Sequence, residues 1–386
     1  MKRLSCLIGI LGVALAVQAA ALACPFCDSV STPTLMEDYK EADLIVFGRI
    51  ENAQVKDFTD GSTDLIIEEI IKPHPMLKDK KKLVIPRYIQ QMNLKFLVFG
   101  RVYKDSLDPF RGVSVKGDSD MLAYMRGAIK LKDAPAPERL RHAFDFLESK
   151  EAEVSQDAYR EFAKADYTEY RDMAKKLPPD LIAGWLEDPK TYSYRYGLYS
   201  SLLGHCGTAK HAHVLKSMIA DPEKNRNSGL AGMLSGYVML VPKEGKAMLE
   251  NLILDGKQEF ALRYGVLQSL RFFHTYRPDL IAKSEVEEVV AKLANNPDMA
   301  DFAIEDLRKW QSWKRTPEVL SYFELKTHQV PVIRRAIMRY ALQSPHADAK
   351  TFVESQRKRD AEWVADTEEL LRLEIGSENL PNGLKK

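Results

Sequence analysis

Cys24-Pro25-Phe26-Cys27 is the tetrapeptide whose residue types and spacing could most directly do chemistry. Two thiols three positions apart can close a local disulfide, exchange electrons with a second dithiol, or ligate a soft metal; the thiolate is the reactive form in the last two cases. A redox pair of this kind follows a strand and opens a helix whose amino terminus lowers the pKa of the first thiol. No strand pattern precedes Cys24, and its surroundings lack a βαβ pattern. The leading expectation is therefore a local disulfide that fixes the segment, with redox use, metal binding and acylation of Cys24 as alternatives. Covalent haem would need His after the second cysteine, where Asp28 stands.

His205, Cys206, His211 and His213 form a second set. The first two close one helical pattern and the last two open the next, so a turn could gather three zinc-competent ligands, with Cys24 or Cys27 folding back onto them. Positions two apart do not share a helix face. The leading expectation is thus a buried Cys206 among solvent-exposed histidines, with zinc, or a disulfide from Cys206 to the amino-terminal pair, as alternatives. Aromatic and basic residues recur later in the chain. Of these, Arg195, Tyr196, Arg263, Tyr264 and Trp310 are the candidates for a binding surface, tyrosine and tryptophan because they join buried area to a polar tip. A ladder of arginines could hold an acidic peptide or glycan; core packing and solvated faces are the competing expectation. No P-loop, G-x-S-x-G, H-E-x-x-H or Rossmann fingerprint occurs, so no catalytic residue and no cofactor is assigned.

The elements that must position these residues begin with an export signal at 1–23. Lys2 and Arg3 precede an apolar run from Leu7 to Val17, and Ala21-Leu22-Ala23 is an A-x-A cleavage signal. Cleavage would leave Cys24 first in the mature chain, either free or, by the lipoprotein route, acylated; Ala21 departs from the usual lipobox. The chain is expected outside the cytoplasm, periplasmic or extracellular. No later stretch approaches the roughly 20 apolar residues of a spanning helix. Losing Lys2 and Arg3 carries the formal charge from +1 to −1, which argues against nucleic acid as a partner. Four cysteines in 386 residues are too few for a disulfide scaffold, so the fold must stand on its apolar core.

Residues 24–117 carry short β-branched and aromatic runs, Leu44 to Ile50, Thr63 to Ile71, Lys82 to Ile89 and Leu94 to Tyr103, with a possible fifth at Gly112 to Val115. Such spacing predicts a small barrel or sandwich. Residues 118–190 turn to helical periodicity and connect to 191–376. There Arg195-Tyr196-Gly197 returns as Arg263-Tyr264-Gly265, two steps of 34, with Ser201, Ser235 and Ser269 in phase. A period in the thirties marks stacked helix pairs. Prolines divide this stretch into about five pairs, ending in a long charged helix from Glu354 to Leu373. Residues 377–386 read as a disordered tail.

Several resemblances follow from these residues. Cys-Pro-Phe-Cys resembles the glutaredoxin redox site. The amino-terminal cysteine with Ala42 to Gly48 and Phe96 to Gly100 resembles OB-like barrels of the netrin and metalloprotease-inhibitor type. That likeness implies zinc chelation by Cys24, although residues 28–131 lack the cysteines that pin such inhibitors. The helix pairs look like HEAT-type repeats of an α-solenoid. As a whole, Cys24 to Cys27, Leu203 to Gly207 and Asp306 to Trp310 resemble a group of uncharacterised exported bacterial proteins, a likeness that implies no activity. The expected fold is α+β and multidomain, an OB/netrin-like barrel or sandwich followed by HEAT-like helix pairs. The expected function is non-enzymatic binding or scaffolding of a protein or peptide partner, with thiol chemistry at Cys24-Cys27 and protease inhibition through Cys24 as alternatives.

Overall fold

An antiparallel sheet comes first and helices fill the rest of the chain. The structure, a computed structural model, describes residues 24–27, 31–55, 61–90, 94–104, 106–225 and 229–375, so the expected leader and tail lie outside the described residues. Helix α1 (Leu35–Glu41) precedes strands β1 (Leu44–Val55), β2 (Gly61–Lys72), β3 (Lys82–Ile85), β4 (Lys95–Tyr103) and β5 (Ser106–Val115). Thr34 and Glu37 close a capping box on α1. The strands pair in the order β3-β2-β1-β4-β5, and β3 also lies beside β5.

The sheet is buried on both faces near β1, which is why its alternation is incomplete in sequence. Ile45, Phe47, Leu97, Phe99, Val113 and Val115 pack towards the helices, whereas Leu44, Val46, Leu65, Leu83, Ile85 and Val98 form a separate cluster on the other side. A side chain at Gly48 would lie 2.0 Å from Ile66 O, and the β1–β2 register shifts at that point. Strand β3 stops before Pro86, short of the expected Ile89. Strand β5 starts earlier than its sequence suggests, because Pro109 is tolerated on an edge strand.

The helices are α2 (Met121–Lys130), α3 (Ala136–Phe144), α4 (Ala152–Lys164), α5 (Tyr167–Ala174), α6 (Pro179–Glu187), α7 (Tyr196–Cys206), α8 (Ala212–Ala220), the single turn α9 (Pro222–Asn225), α10 (Leu230–Leu240), α11 (Pro242–Leu254), α12 (Phe260–Tyr276), α13 (Lys283–Leu293), α14 (Ala300–Lys309), α15 (Thr316–Ser321), α16 (Pro331–Gln343), α17 (Ala347–Arg359) and α18 (Ala361–Ile375). Prolines sit in the first turn of α3, α6, α11, α15 and α16, where the missing N–H has no partner to lose. The expected long terminal helix is in fact two. Its chain breaks at Asp360, whose carboxylate accepts from Trp363 N at 2.9 Å and so caps α18.

The period of the sequence reappears as contact between neighbouring pairs. Ser235 and Ser269, 34 positions apart, share a buried hydrogen bond of 2.8 Å. His328 Nε2 donates to Ala294 O at 2.8 Å, again 34 apart, while Arg271–Asp306 and Arg308–Gln343 are tied at a separation of 35. Ser201 instead meets Tyr170 OH, because α5 takes the place of an earlier repeat. Helices α7 and α10 approach until a Cβ at Gly232 would lie 2.4 Å from Gly197 O. One apolar core runs from Phe47 and Phe99 through α2 to α5 and on to Tyr340 in α16, continuous across the expected boundaries at 117/118 and 190/191. Among the described residues no helix is long and apolar enough to cross a membrane.

Candidate binding groove

The amino-terminal tetrapeptide is a plug in the helical core. Cys24 and Cys27 form a disulfide within a turn, with Cα atoms 5.4 Å apart. Cys24 is 4% exposed, its backbone N–H donates to Ala163 O at the end of α4, and its sulfur lies 4.0 Å from Tyr170 OH. Phe26 packs on Phe272 of α12 with ring centroids 4.5 Å apart, and Gly197 leaves room for Phe26 O. No helix begins at Cys24, so the dipole that activates the first thiol of a redox pair is missing there. The backbone N–H and carbonyl of Cys24, the groups that zinc chelation would use, are bonded to Ala163 O and Cys27 N.

The second thiol and imidazole set is dispersed. Cys206 Sγ donates to Leu202 O, one turn earlier on its own helix. His211 is buried, accepting from Thr208 N and donating to Asp180 at 3.0 Å, whereas His213 donates to Lys210 O. His205 leans on Tyr167, and burial, reinforced by Arg277, pushes its imidazole down to about 3. The rings of His211 and His213 are thus engaged separately, while His205 Nε2 is buried without a hydrogen-bond partner. Among the described residues no group of three or more His, Cys, Asp or Glu side chains is placed to hold a metal ion.

Arg195 and Arg263, the arginines of the repeated tripeptide, are internal ties. Arg195 donates to Leu147 O, Glu148, Ser155 and two tyrosine hydroxyls, and is 3% exposed. Arg263, fully buried, donates to Ile253 O at 3.0 Å and to Asp298. Tyr196 is also buried, and Trp310 is half-buried, stacked on His274 at 4.0 Å. Of the five surface candidates, Tyr264 lines an open site.

That site is a groove across α12, α14, α16 and α18, made of two adjoining hollows of about 470 and 360 Å³. Each helix contributes a stripe at helical spacing: Tyr264 and Arg271 from α12; Asp301, Phe302, Glu305 and Lys309 from α14; Val332, Arg335 and Arg339 from α16; Leu370 and Glu374 from α18. One wall is aromatic. Tyr264 meets Phe302 edge-on at 5.4 Å, and Phe260, half-exposed, lies against both.

The floor is a closed ionic network. Arg271 Nε bridges both oxygens of Asp306 at 2.9 and 2.7 Å, and Arg308 pairs with Glu305 and Glu374 at 2.7 Å each. Arg339 joins the same two glutamates, Glu305 at 3.3 Å. Burial raises the Asp306 carboxyl although Arg271 pulls it down, and lowers the Arg339 guanidinium against the pull of Glu305. Lys309, Arg335 and Asp301 have no ion-pair partner among the described residues, and burial raises the Asp301 carboxyl. Comparison with protein-family models, curated proteins and solved structures found no match for the chain. Sequence reasoning missed Phe260, Asp301, Phe302, Val332, Leu370 and Glu374. Their local signal was an apolar or charged residue at helical spacing within segments already read as helix pairs.

Proposed function

We propose that this is an exported, non-enzymatic protein that binds a segment of another polypeptide along the α12–α18 groove. The observation that carries the proposal is a groove whose aromatic wall and three charges without an ion pair among the described residues stand beside a floor of ion pairs. Paired ions position; unpaired ones remain for a ligand. Lys309 and Arg335 suit carboxylates of the bound segment, Asp301 suits an amide or cation, and the Phe260–Tyr264–Phe302 wall suits an aromatic or aliphatic side chain. Ties at 34 and 35 residues support a finer architecture of HEAT-like pairs in an α-solenoid, and a five-stranded sheet wound until β3 lies beside β5 supports an OB/netrin-like, partly open barrel.

Selection of a random peptide library on the purified chain is the test. Recovered peptides should combine acidic and aromatic residues and bind about tenfold or more weakly to Lys309→Glu/Arg335→Glu, an exposed pair whose replacement spares the core. Failure to recover any peptide, or undiminished binding to that variant, would overturn the reading. Mass spectrometry of chain isolated from the exported fraction addresses export separately; a mature chain still carrying residues 1–23 would contradict it.

A further inference from the structure

Along the β3 edge of the sheet, from Lys78 to Tyr88, five cations meet a single acid, Asp79, in a chain whose positive and negative side chains otherwise nearly balance at 56 and 55. The segment is held in place. Leu77 is buried in the apolar cluster that faces away from the helices, with Met76 packed against it. Lys80 N donates to Leu77 O at 3.1 Å, and Ile67 N donates to Lys81 O at 2.9 Å. Beyond β3, the Thr63 hydroxyl donates to Arg87 O at 2.8 Å and accepts from Ile89 N at 3.0 Å. Lys82 pairs with Asp64 at 2.9 Å, whereas Lys78, Lys80, Lys81 and Arg87 have no ion pair among the described residues.

Lysines on an edge strand deter pairing with another chain, which accounts for the charge. It does not account for the apolar side chains set among the cations. Strand β3 alternates, with Leu83 and Ile85 buried and Lys82 and Val84 exposed. Val84 is 53% exposed, Tyr88 45% and Val55 61%. Val55 and Tyr88 flank Gly61, which pairs with Val55 across the β1–β2 ladder and where a Cβ would lie 2.6 Å from Tyr88 Cβ. Aliphatic and aromatic groups thus accompany the cations down the edge. A surface that receives both is anionic outside and apolar beneath.

We infer that this edge docks on an anionic lipid bilayer surface, with the lysines and Arg87 among the head groups and Val55, Val84 and Tyr88 at the boundary between head groups and acyl chains. Each cation near such a surface strengthens binding about fivefold, and tyrosine favours that boundary. A soluble polyanion would use the cations and leave the three apolar groups in water.

Sedimentation of the whole chain with vesicles of phosphatidylcholine, alone or mixed with phosphatidylglycerol, tests this. The chain should pellet with the mixed vesicles, be released by added salt, and stay in solution with phosphatidylcholine alone. Lys78→Ala/Lys80→Ala/Lys81→Ala should weaken binding by about a hundredfold and Val84→Ser/Tyr88→Ser by about tenfold. All five side chains are exposed, so both variants should keep the parent's melting temperature. Equal pelleting with both vesicle types, pelleting with neither, or parental affinity in the lysine variant sinks the proposal. Capture by inorganic polyphosphate without vesicle binding would assign the lysines to a soluble polyanion and overturn it, and so would undiminished vesicle binding by Val84→Ser/Tyr88→Ser.

Discussion

Buried charge is the main concern at the residue scale. Arg263 is sealed between Ile253 O and Asp298, so Arg263→Ala removes a large side chain and orphans a carbonyl; equilibrium urea unfolding should show a loss of about 3 kcal/mol. Lys246→Ala, which breaks an exposed pair with Glu285, should change stability by less than about 0.5 kcal/mol. Asp157 offers a pH handle. It accepts from Leu35 N and Tyr124 OH, and burial, opposed by those bonds and by Arg160 and reinforced by Glu161, holds its carboxyl at about 7. Its proton is therefore bound more tightly in the folded chain than in the unfolded one, where the value is about 3.9. The resulting stability is fully present below about pH 4 and is lost as the pH rises through about 7. Urea midpoints between pH 4 and pH 8 should fall less steeply for Asp157→Asn than for the parent.

Packing distances between helices decide matters at the element scale. Gly232→Ala places a methyl 2.4 Å from Gly197 O, and two backbones cannot yield as a side-chain tip can. The variant should lose about 3 kcal/mol, the upper part of the overpacking range. Gly184 on α6 meets nothing within 4 Å, so Gly184→Ala should gain about 0.5 kcal/mol from helix propensity alone. Both are glycines inside helices, and their neighbours in sequence do not reveal which one is wedged. Helix existence was far more legible: prolines marked the starts of α11 and α16, and Ser235 and Ser269, in phase along the sequence, lie on helices that meet at a shared hydrogen bond. The Asp360 break was overlooked because charged periodicity runs straight through it.

At the scale of the whole molecule, the plug joins residues nearly 250 positions apart, setting Phe26 on Phe272. Phe26→Ala should cost about 3 kcal/mol. Cys24→Ala/Cys27→Ala should cost about 2 kcal/mol on the chain-entropy account of so short a loop. Limited proteolysis should then cut near the amino terminus in both variants while far-UV circular dichroism keeps its helical signal. Unchanged proteolysis in both would show that the plug does not fasten the amino-terminal segment to the helices.

Periodicity is a local property, and the order of strands before helices, the 34-residue step and the pairing of Cys24 with a cysteine three positions away could all be read from neighbours along the chain. Burial is not local. Arg195, Arg263 and Tyr196 looked like surface anchors because arginine and tyrosine usually reach solvent, and only the stacking of adjacent helices turned them inward. The groove likewise exists because four helices bring single stripes together, each unremarkable alone, and leave a few charges without partners.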